Sequence, residues 1–198
     1  LWLGGRWSPY LFAFPPVALE LYHGNIHLLL AAAVALGFRH SSSWSFVLLT
    51  KPTAGVGLLW FVARREWRAL AAPLLATGAA AAVSLLIAPR LWAEWFAFMA
   101  QDPSGTLGGP SVPVPLPLRV AVGAAIIVWG ARTDRPWTVA VGSTVALPVL
   151  WFAGLSVLIG AVPSLRQAIA ARSPVPSGPG PVLPAGGYPA THAPGSAT

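Results

Sequence analysis

The chain alternates long apolar blocks with short polar stretches, many of which carry arginine. Blocks of this length show no strand-like alternation and are typical of helices that are buried or lie in lipid. We therefore predict an all-α fold. Six apolar runs are present: Trp7 to Leu19, Ile26 to Phe38, Ser43 to Ala63, Ala69 to Ala88, Leu118 to Ala131 and Trp137 to Val162.

Composition indicates that lipid surrounds these helices. The 198 residues are 56% hydrophobic and 9% charged, whereas about 25% of residues are charged in an ordinary soluble domain. A soluble core of this size cannot hide so much apolar surface. We predict that residues 1–172 form a polytopic integral membrane helical bundle, multi-pass in the cell membrane. Cysteine is absent, which excludes disulfides, thiolate catalysis and cysteine-ligated metal sites.

Several runs are too short or too interrupted to cross a bilayer as straight helices. Ile26 to Phe38 has 13 residues, whereas a straight span needs about 20. Thr50-Lys51-Pro52 interrupts one longer run and Pro148 another, and proline ends or kinks a helix because it lacks a backbone donor. Broken or short paired helices are therefore expected. Hairpins with tips at these two breaks are preferred over a straight helix from Ser43 to Ala63.

The positive charges mark one side of this arrangement. The formal net charge is +7, from eleven arginines and one lysine that form no continuous basic stripe, so no nucleic-acid partner is expected. With a hairpin at each break, Arg90 and Arg119 fall on one side and nine arginines on the other, as the positive-inside rule predicts. These nine are Arg6, Arg39, Arg64, Arg65, Arg68, Arg132, Arg135, Arg166 and Arg172.

The opposite side carries the more polar loops. Within the loop from Arg90 to Pro117, the aromatic stretch Leu91 to Met99 suits a short helix in the membrane interface, or else an ordinary tryptophan-rich connection at headgroup depth. Its acids Glu94 and Asp102 are too far apart in sequence to indicate a catalytic pair. Asp134, between Arg132 and Arg135, is interpreted as part of a solvated mixture of charges.

The two ends of the chain differ in character from the bundle. Residues 173–198 contain seven prolines, five glycines and no charge, so we predict a disordered tail, which cannot bury enough surface to offset its ordering entropy. The first residue is Leu1 and the only methionine is Met99. We therefore expect the chain to be the C-terminal part of a longer protein.

Lys51 is the most informative candidate site residue. It is the only lysine and lies inside an apolar run, where a charge costs roughly 2.5–3.5 kcal/mol to insert into lipid. A lysine at such a depth can hold a phosphate in a water-filled cavity, and the Thr50 hydroxyl can add a hydrogen bond. The alternative is structural: an ion pair with a carboxylate such as Glu20, or snorkelling to the interface.

A second polar cluster extends from Glu20 to His27. Asn25 is expected near the N-cap of the following helix, so that the helix N-terminus favours an anionic group on the same aqueous side. The alternative is simple capping by Asn25, with His27 hydrogen-bonded inside the bundle. His23 and His27 have the spacing of metal ligands on a helix, but no third ligand is evident, so no metal is expected.

The motifs around these residues resemble those of bacterial glycosyltransferase family 87, which belongs to the GT-C class of multi-spanning enzymes. The resemblance rests on Phe14-Pro15-Pro16-Val17-Ala18-Leu19-Glu20-Leu21, on Gly24-Asn25-Ile26-His27-Leu28-Leu29-Leu30, on Leu48-Leu49-Thr50-Lys51 and on the segment from Trp60 to Arg68. It is clear from Phe14 to Met99 and looser from Ala146 to Trp151. Many relatives have glutamine at the position of Asn25.

The resemblance implies a GT-C-like fold and a sugar transfer on the extracytoplasmic side of the membrane. The donor would be a polyprenyl-phosphate sugar, typically carrying mannose, and the acceptor a glycan or glycolipid, with no cofactor. Lys51 would neutralise the donor phosphate, and Asn25 and His27 would contact donor or acceptor. The catalytic acidic residue of the family lies in the first extracytoplasmic loop and is expected upstream of Leu1.

A non-catalytic function is the competing interpretation. No catalytic acid is recognisable in the chain, and broken helices also occur in transporters, so a transporter piece or an assembly subunit remains the alternative. The sequence upstream of Leu1 distinguishes the two: further spans with an aspartate-bearing outer loop favour the enzyme, and an inverted repeat of the broken helices favours transport.

The hairpin topology predicts opposite accessibility for two engineered cysteines. Because the chain has no native cysteine, Ser42→Cys and Ser104→Cys can each be labelled with a membrane-impermeant thiol reagent in intact and in opened vesicles. We expect the two positions to react from opposite faces. Labelling of both from the same face would reject the hairpin topology.

Overall fold

The computed structural model describes residues 8–101, 114–150 and 152–172, and it is all-α in these ranges, as predicted. The predicted tail at residues 173–198 lies outside the described residues, as do Asp102 and Ser104. The α-helices are α1 (Ser8–Phe12), α2 (Pro15–His23), α3 (His27–Leu36), α4 (Trp44–Thr50), α5 (Leu59–Ala63), α6 (Trp67–Ile87), α7 (Pro89–Gln101), α8 (Leu116–Arg132), α9 (Trp137–Val145) and α10 (Val162–Arg172). Three 3₁₀ segments, Ser41–Ser43, Pro52–Leu58 and Phe152–Ala161, complete them.

The first predicted hairpin is present. Helix α4 ends at Thr50, and the chain reverses at Lys51 into the 3₁₀ segment Pro52–Leu58. The Trp44 ring packs directly on Gly57, and the Leu48 side chain packs on Gly55. These contacts pair the two arms antiparallel. Lys51 therefore lies at the tip of this first hairpin.

The second predicted hairpin joins α9 to the 3₁₀ segment Phe152–Ala161. A methyl group at Gly154 would lie 3.4 Å from the Leu147 side chain, and one at Gly160 would lie 3.6 Å from Ala140. The two arms therefore run antiparallel around the break at Pro148, as predicted.

Arg119 holds the tip of this second hairpin. Its side chain is buried, with 6% of its surface exposed, and it donates from Nη1 to the Leu147 carbonyl (2.8 Å), from Nη2 to the Pro148 carbonyl (2.7 Å) and from Nε to the Val114 carbonyl (3.1 Å). A broken helix leaves carbonyls without partners, and a buried orphan is costly. The sequence analysis placed Arg119 by its charge alone and did not anticipate this function.

Helices α8 and α9 approach each other closely at two glycines. A methyl group at Gly123 would lie 2.5 Å from the Gly142 carbonyl oxygen, and one at Gly142 would lie 2.6 Å from the Gly123 carbonyl oxygen. Such close approach is typical of helices that pack through small residues in membranes. The main core surrounds this contact and includes Leu30, Val34, Trp44, Val47, Leu58, Trp60, Phe61, Ile127, Val139, Leu147 and Val157.

Loops predicted to share one side of the bundle do meet. The Arg64 guanidinium bonds Asp134 at 2.7 Å and Glu66 at 3.0 Å. The hydrogen bond to Glu66 raises the pKa of Arg64, as do the hydrogen bond and charge of Asp134, against the opposing effect of burial. Asp134 is therefore more than part of a solvated mixture of charges, because it connects the loop after α8 to the loop after α5.

Helices α6 and α7 present apolar surface outward. Two helical segments in the described ranges, Trp67–Ile87 and Phe152–Ala171, are long and apolar enough to cross a membrane, and α2 with α3 would add a third if they form one broken span. No residue of α7 is buried, and its Trp92 indole donates to the Ser84 hydroxyl of α6 at 3.1 Å. The helix predicted at Leu91 to Met99 is therefore present, while its position in the interface stays a prediction.

Alanine substitutions at two glycines test the packing of α8 on α9. Gly123→Ala forces a methyl group against backbone, and overpacking of this kind costs about 1–3 kcal/mol. Gly78→Ala is the matched control, because a methyl group there meets nothing within 4 Å and alanine favours a helix interior. We expect a lower midpoint of thermal unfolding in detergent for Gly123→Ala only. Equal midpoints for the two variants would contradict this packing.

Candidate functional site

The site is built around a sharp corner between α2 and α3, formed by Gly24–Ile26. The two helix axes are bent by 116° across this corner. Gly24 ends α2 in the left-handed conformation (φ 64°), where its backbone N–H bonds the Glu20 carbonyl, and glycine adopts this conformation without the strain that a Cβ atom brings. The sequence thus ends one helix and starts the next within three residues.

Glu20 joins the two helices across the corner. Its Oε1 accepts a hydrogen bond from His27 Nδ1 at 2.7 Å, and its Oε2 accepts the backbone N–H of the same residue at 3.0 Å. Glu20 is 1% exposed and His27 is 4% exposed. Each carboxylate oxygen therefore has a partner, and a single residue of α3 fixes the orientation of the whole group.

The Glu20 carboxylate caps α3. His27 is the first residue of this helix, so its N–H is among the donors without a partner inside the helix. A carboxylate at a helix N-terminus also interacts favourably with the positive end of the helix dipole. Two terms therefore compensate the cost of burying Glu20: charge-assisted hydrogen bonds and the dipole of α3.

Asn25 lies next to the N-cap of α3, as expected, but the alternative that its side chain caps the helix is wrong. The N-cap residue is Ile26, whose side chain makes no capping hydrogen bond. Asn25 is exposed one residue earlier. The physical reason is that the Glu20 carboxylate, brought in from α2 by the bend, already accepts the first free backbone N–H of α3, that of His27.

The ring of His27 is constrained by the same contact. A carboxylate accepts from Nδ1 only if Nδ1 carries a proton, so the neutral imidazole has its proton on Nδ1 and a lone pair on Nε2. Nε2 is buried and has no hydrogen-bond partner among the described residues. The alternative interpretation, that His27 forms a hydrogen bond inside the bundle, therefore holds for its Nδ1.

Lys51 lies near this pair but is not bonded to it. Burial removes part of the water around its ammonium, and the Glu20 carboxylate attracts it electrostatically. Even so, no carboxylate of the described residues lies within 4.0 Å of Lys51. The direct ion pair with Glu20 that the sequence analysis allowed is absent, and the half-buried ammonium keeps its donors for another group.

Thr50 stands beside Lys51 with its hydroxyl proton already used. Its Oγ1 donates to the Phe46 carbonyl of α4 at 2.7 Å, a common arrangement for threonine in the last turn of a helix. Its oxygen lone pairs remain as acceptors. Thr50 can therefore accept a hydrogen bond from a ligand hydroxyl, but it has no proton for a phosphate in this conformation.

Comparison with known proteins identifies the family. A family model, glycosyltransferase family 87, matches residues 2–172. The chain belongs to glycosyltransferase family 87. No curated protein and no solved structure matches it. The resemblance drawn from the sequence motifs is thus confirmed. Family membership implies membrane glycosyltransferase activity, with a sugar donor and an acceptor as substrates.

Of the five predicted site residues of this family 87 chain, Glu20 and His27 are in direct contact. The Glu20 carboxylate also acts electrostatically on Lys51, which Thr50 adjoins in sequence. Asn25 lies on the corner, two residues before His27. His23 does not join His27 in a common site, because its Nδ1 bonds the Leu19 carbonyl at 2.9 Å. No group of three or more possible metal ligands occurs in the described part of this chain.

Removal of the Glu20 carboxylate tests whether it caps α3 at the corner. Glu20→Ala leaves two buried N–H groups without an acceptor, at about 1–3 kcal/mol each, whereas Asn25→Ala removes an exposed side chain, with an effect of about 0.5 kcal/mol or less. We expect a marked drop in the thermal unfolding midpoint for Glu20→Ala and almost none for Asn25→Ala. The reverse order would restore Asn25 as the cap.

Proposed function

We propose that this family 87 transferase moves a hexose, typically mannose, from a polyprenyl-phosphate sugar to a glycan or glycolipid acceptor. The reaction takes place on the extracytoplasmic side of the cell membrane, in which the chain is multi-pass. The observation that carries the proposal is Lys51, a half-buried ammonium at the tip of the first hairpin, without a direct partner among the described residues.

The chemistry of this reaction calls for a cation at the phosphate. Transfer breaks the bond between the sugar C1 and a phosphate oxygen, and the electron pair of that bond stays on the phosphate. The phosphate therefore gains negative charge as the transition state forms. A fixed cation such as Lys51 then stabilises the transition state more than the bound donor, which is how charge accelerates a reaction.

The surrounding residues have supporting positions in this proposal. Asn25, exposed on the corner, contacts the donor or acceptor in this proposal, and the Thr50 oxygen can accept a hydrogen bond from a sugar hydroxyl. Glu20 and His27 hold the corner in place.

In this proposal an acidic residue other than Glu20 acts as the catalytic base. A base that takes the acceptor proton needs a carboxylate oxygen free to receive it. Both oxygens of Glu20 accept hydrogen bonds from His27, and the group is buried. These facts support a base other than Glu20, and the family resemblance implies an acidic residue of the first extracytoplasmic loop.

The non-catalytic alternative, a transporter piece or an assembly subunit, has no observation of its own in its favour. The lack of a recognisable catalytic acid and the broken helices motivate it, and the broken helices also fit a transferase whose site lies at the helix breaks. Family membership favours the enzyme.

Substitution of Lys51 in the complete transferase tests the proposal. Lys51→Ala removes a charged contact to the phosphate, so we expect kcat/KM for a polyprenyl-phosphate mannose donor to fall about 10- to 100-fold. Lys51→Arg keeps the charge and should retain much of the rate. Arg90→Ala is the matched control, because it removes an exposed positive charge outside the proposed site.

Three results would contradict the assignment of Lys51 to the phosphate: an unchanged rate for Lys51→Ala, an equal loss in Arg90→Ala, or a loss equally large in Lys51→Arg. Radiolabelled sugar transfer from the donor to extracted acceptor measures all three variants in the same membranes.

A further inference from the structure

The geometry of Glu20 raises the question of why Lys51 has no ion pair. A buried carboxylate and a half-buried ammonium attract each other here, and opposite charges in a medium of low polarity favour direct contact. Glu20 is nevertheless bonded to His27 through both of its oxygens, at 2.7 and 3.0 Å. His27 therefore competes with Lys51 for the Glu20 carboxylate.

His27 is well suited to hold Glu20. Its backbone N–H and its Nδ1–H point to the two oxygens of the same carboxylate, so the group is fixed in both position and rotation. The N–H is fixed by α3 and cannot move away. The ring is buried against the bundle, which restricts its rotation. Such a two-point contact lowers the fraction of molecules in which Glu20 is free to turn toward Lys51.

We infer that His27 is a positioning residue that holds Glu20 away from Lys51 and so keeps Lys51 free for the donor phosphate. This inference rests on the proposed function, because it takes Lys51 to be the phosphate ligand. Without the Nδ1–H of His27, Glu20 would turn toward Lys51 and act as an internal anion that competes with the donor. His27 would thus act on the substrate through Glu20 and Lys51 instead of touching it.

No charged group on the other elements around α3 competes for this function. Helix α3 packs on α4, on α9 and on the 3₁₀ segments Ser41–Ser43 and Phe152–Ala161, none of which contains an acidic or basic residue. Helix α2 adds Tyr22 and His23, both exposed. The elements that pack on α3 therefore add no second acid that could compete for Lys51.

Internal competition has a specific kinetic signature. An anion that must leave before the donor binds raises KM in proportion to the fraction of enzyme that it blocks, and it leaves the saturated rate nearly unchanged. If Glu20 occupies Lys51 in about nine molecules of ten, KM rises about tenfold. General misfolding instead lowers the amount of active enzyme and therefore kcat.

Four variants of the complete transferase, assayed with polyprenyl-phosphate mannose, test the inference. His27→Ala should raise the donor KM about tenfold and leave kcat within about twofold. His27→Asn should recover most of the lost affinity, because its amide N–H lies near the place of Nδ1–H. The double variant Glu20→Gln with His27→Ala should also recover it, because the internal anion is gone. His27→Leu, which fills the space but has no donor, replaces His27→Ala if that variant does not fold.

The outcomes separate this inference from the proposed function. If Lys51→Ala does not change kcat/KM for the donor, the proposed function fails and the inference fails with it. If Lys51→Ala weakens donor use but neither His27→Asn nor the double variant recovers affinity, Lys51 keeps its function and the inference is overturned. An unchanged KM in His27→Ala, or a loss that falls on kcat alone, overturns it as well.

Discussion

The fold of this transferase depends on the contact between Glu20 and His27. A carboxylate in an apolar bundle is tolerated only when its oxygens are satisfied and its charge is compensated. Here both oxygens accept hydrogen bonds from the first residue of α3, and the helix dipole favours the charge. The contact therefore stabilises the 116° corner between α2 and α3. It also fixes where Asn25 lies and which charge Lys51 faces.

The same constraint applies at the other helix breaks. A broken helix inside a membrane leaves backbone groups without partners, and no lipid can satisfy them. Glu20 accepts the free N–H at the start of α3. Arg119 donates to the free carbonyls of Leu147 and Pro148. The buried charges of Glu20 and Arg119 thus each lie at a break. Lys51 also stands at a break, but it has no bonded partner among the described residues, which is why we assign it a ligand.

Local signals in the sequence were sufficient for the hairpins and insufficient for the site. Pro52 and Pro148 act on the chain at their own positions, so the two reversals and the all-α fold were predictable. The cap of α3 was not, because the propensity of Asn25 is local whereas Glu20 reaches α3 only through the bend. Arg119 shows the same limit, since its carbonyl partners belong to a different helix. A lone acid in an apolar run just before a glycine and a helix start is the signal that would have indicated Glu20.

A structure of the complete transferase with bound polyprenyl phosphate tests the central claim most directly, namely that Glu20 is kept on His27 so that Lys51 can hold the phosphate. We predict a phosphate oxygen within about 3.2 Å of Lys51 Nζ, with the Glu20 carboxylate still bonded to the N–H and Nδ1 of His27. A phosphate bound away from Lys51, or a Glu20 carboxylate paired directly with the Lys51 ammonium, would contradict this account.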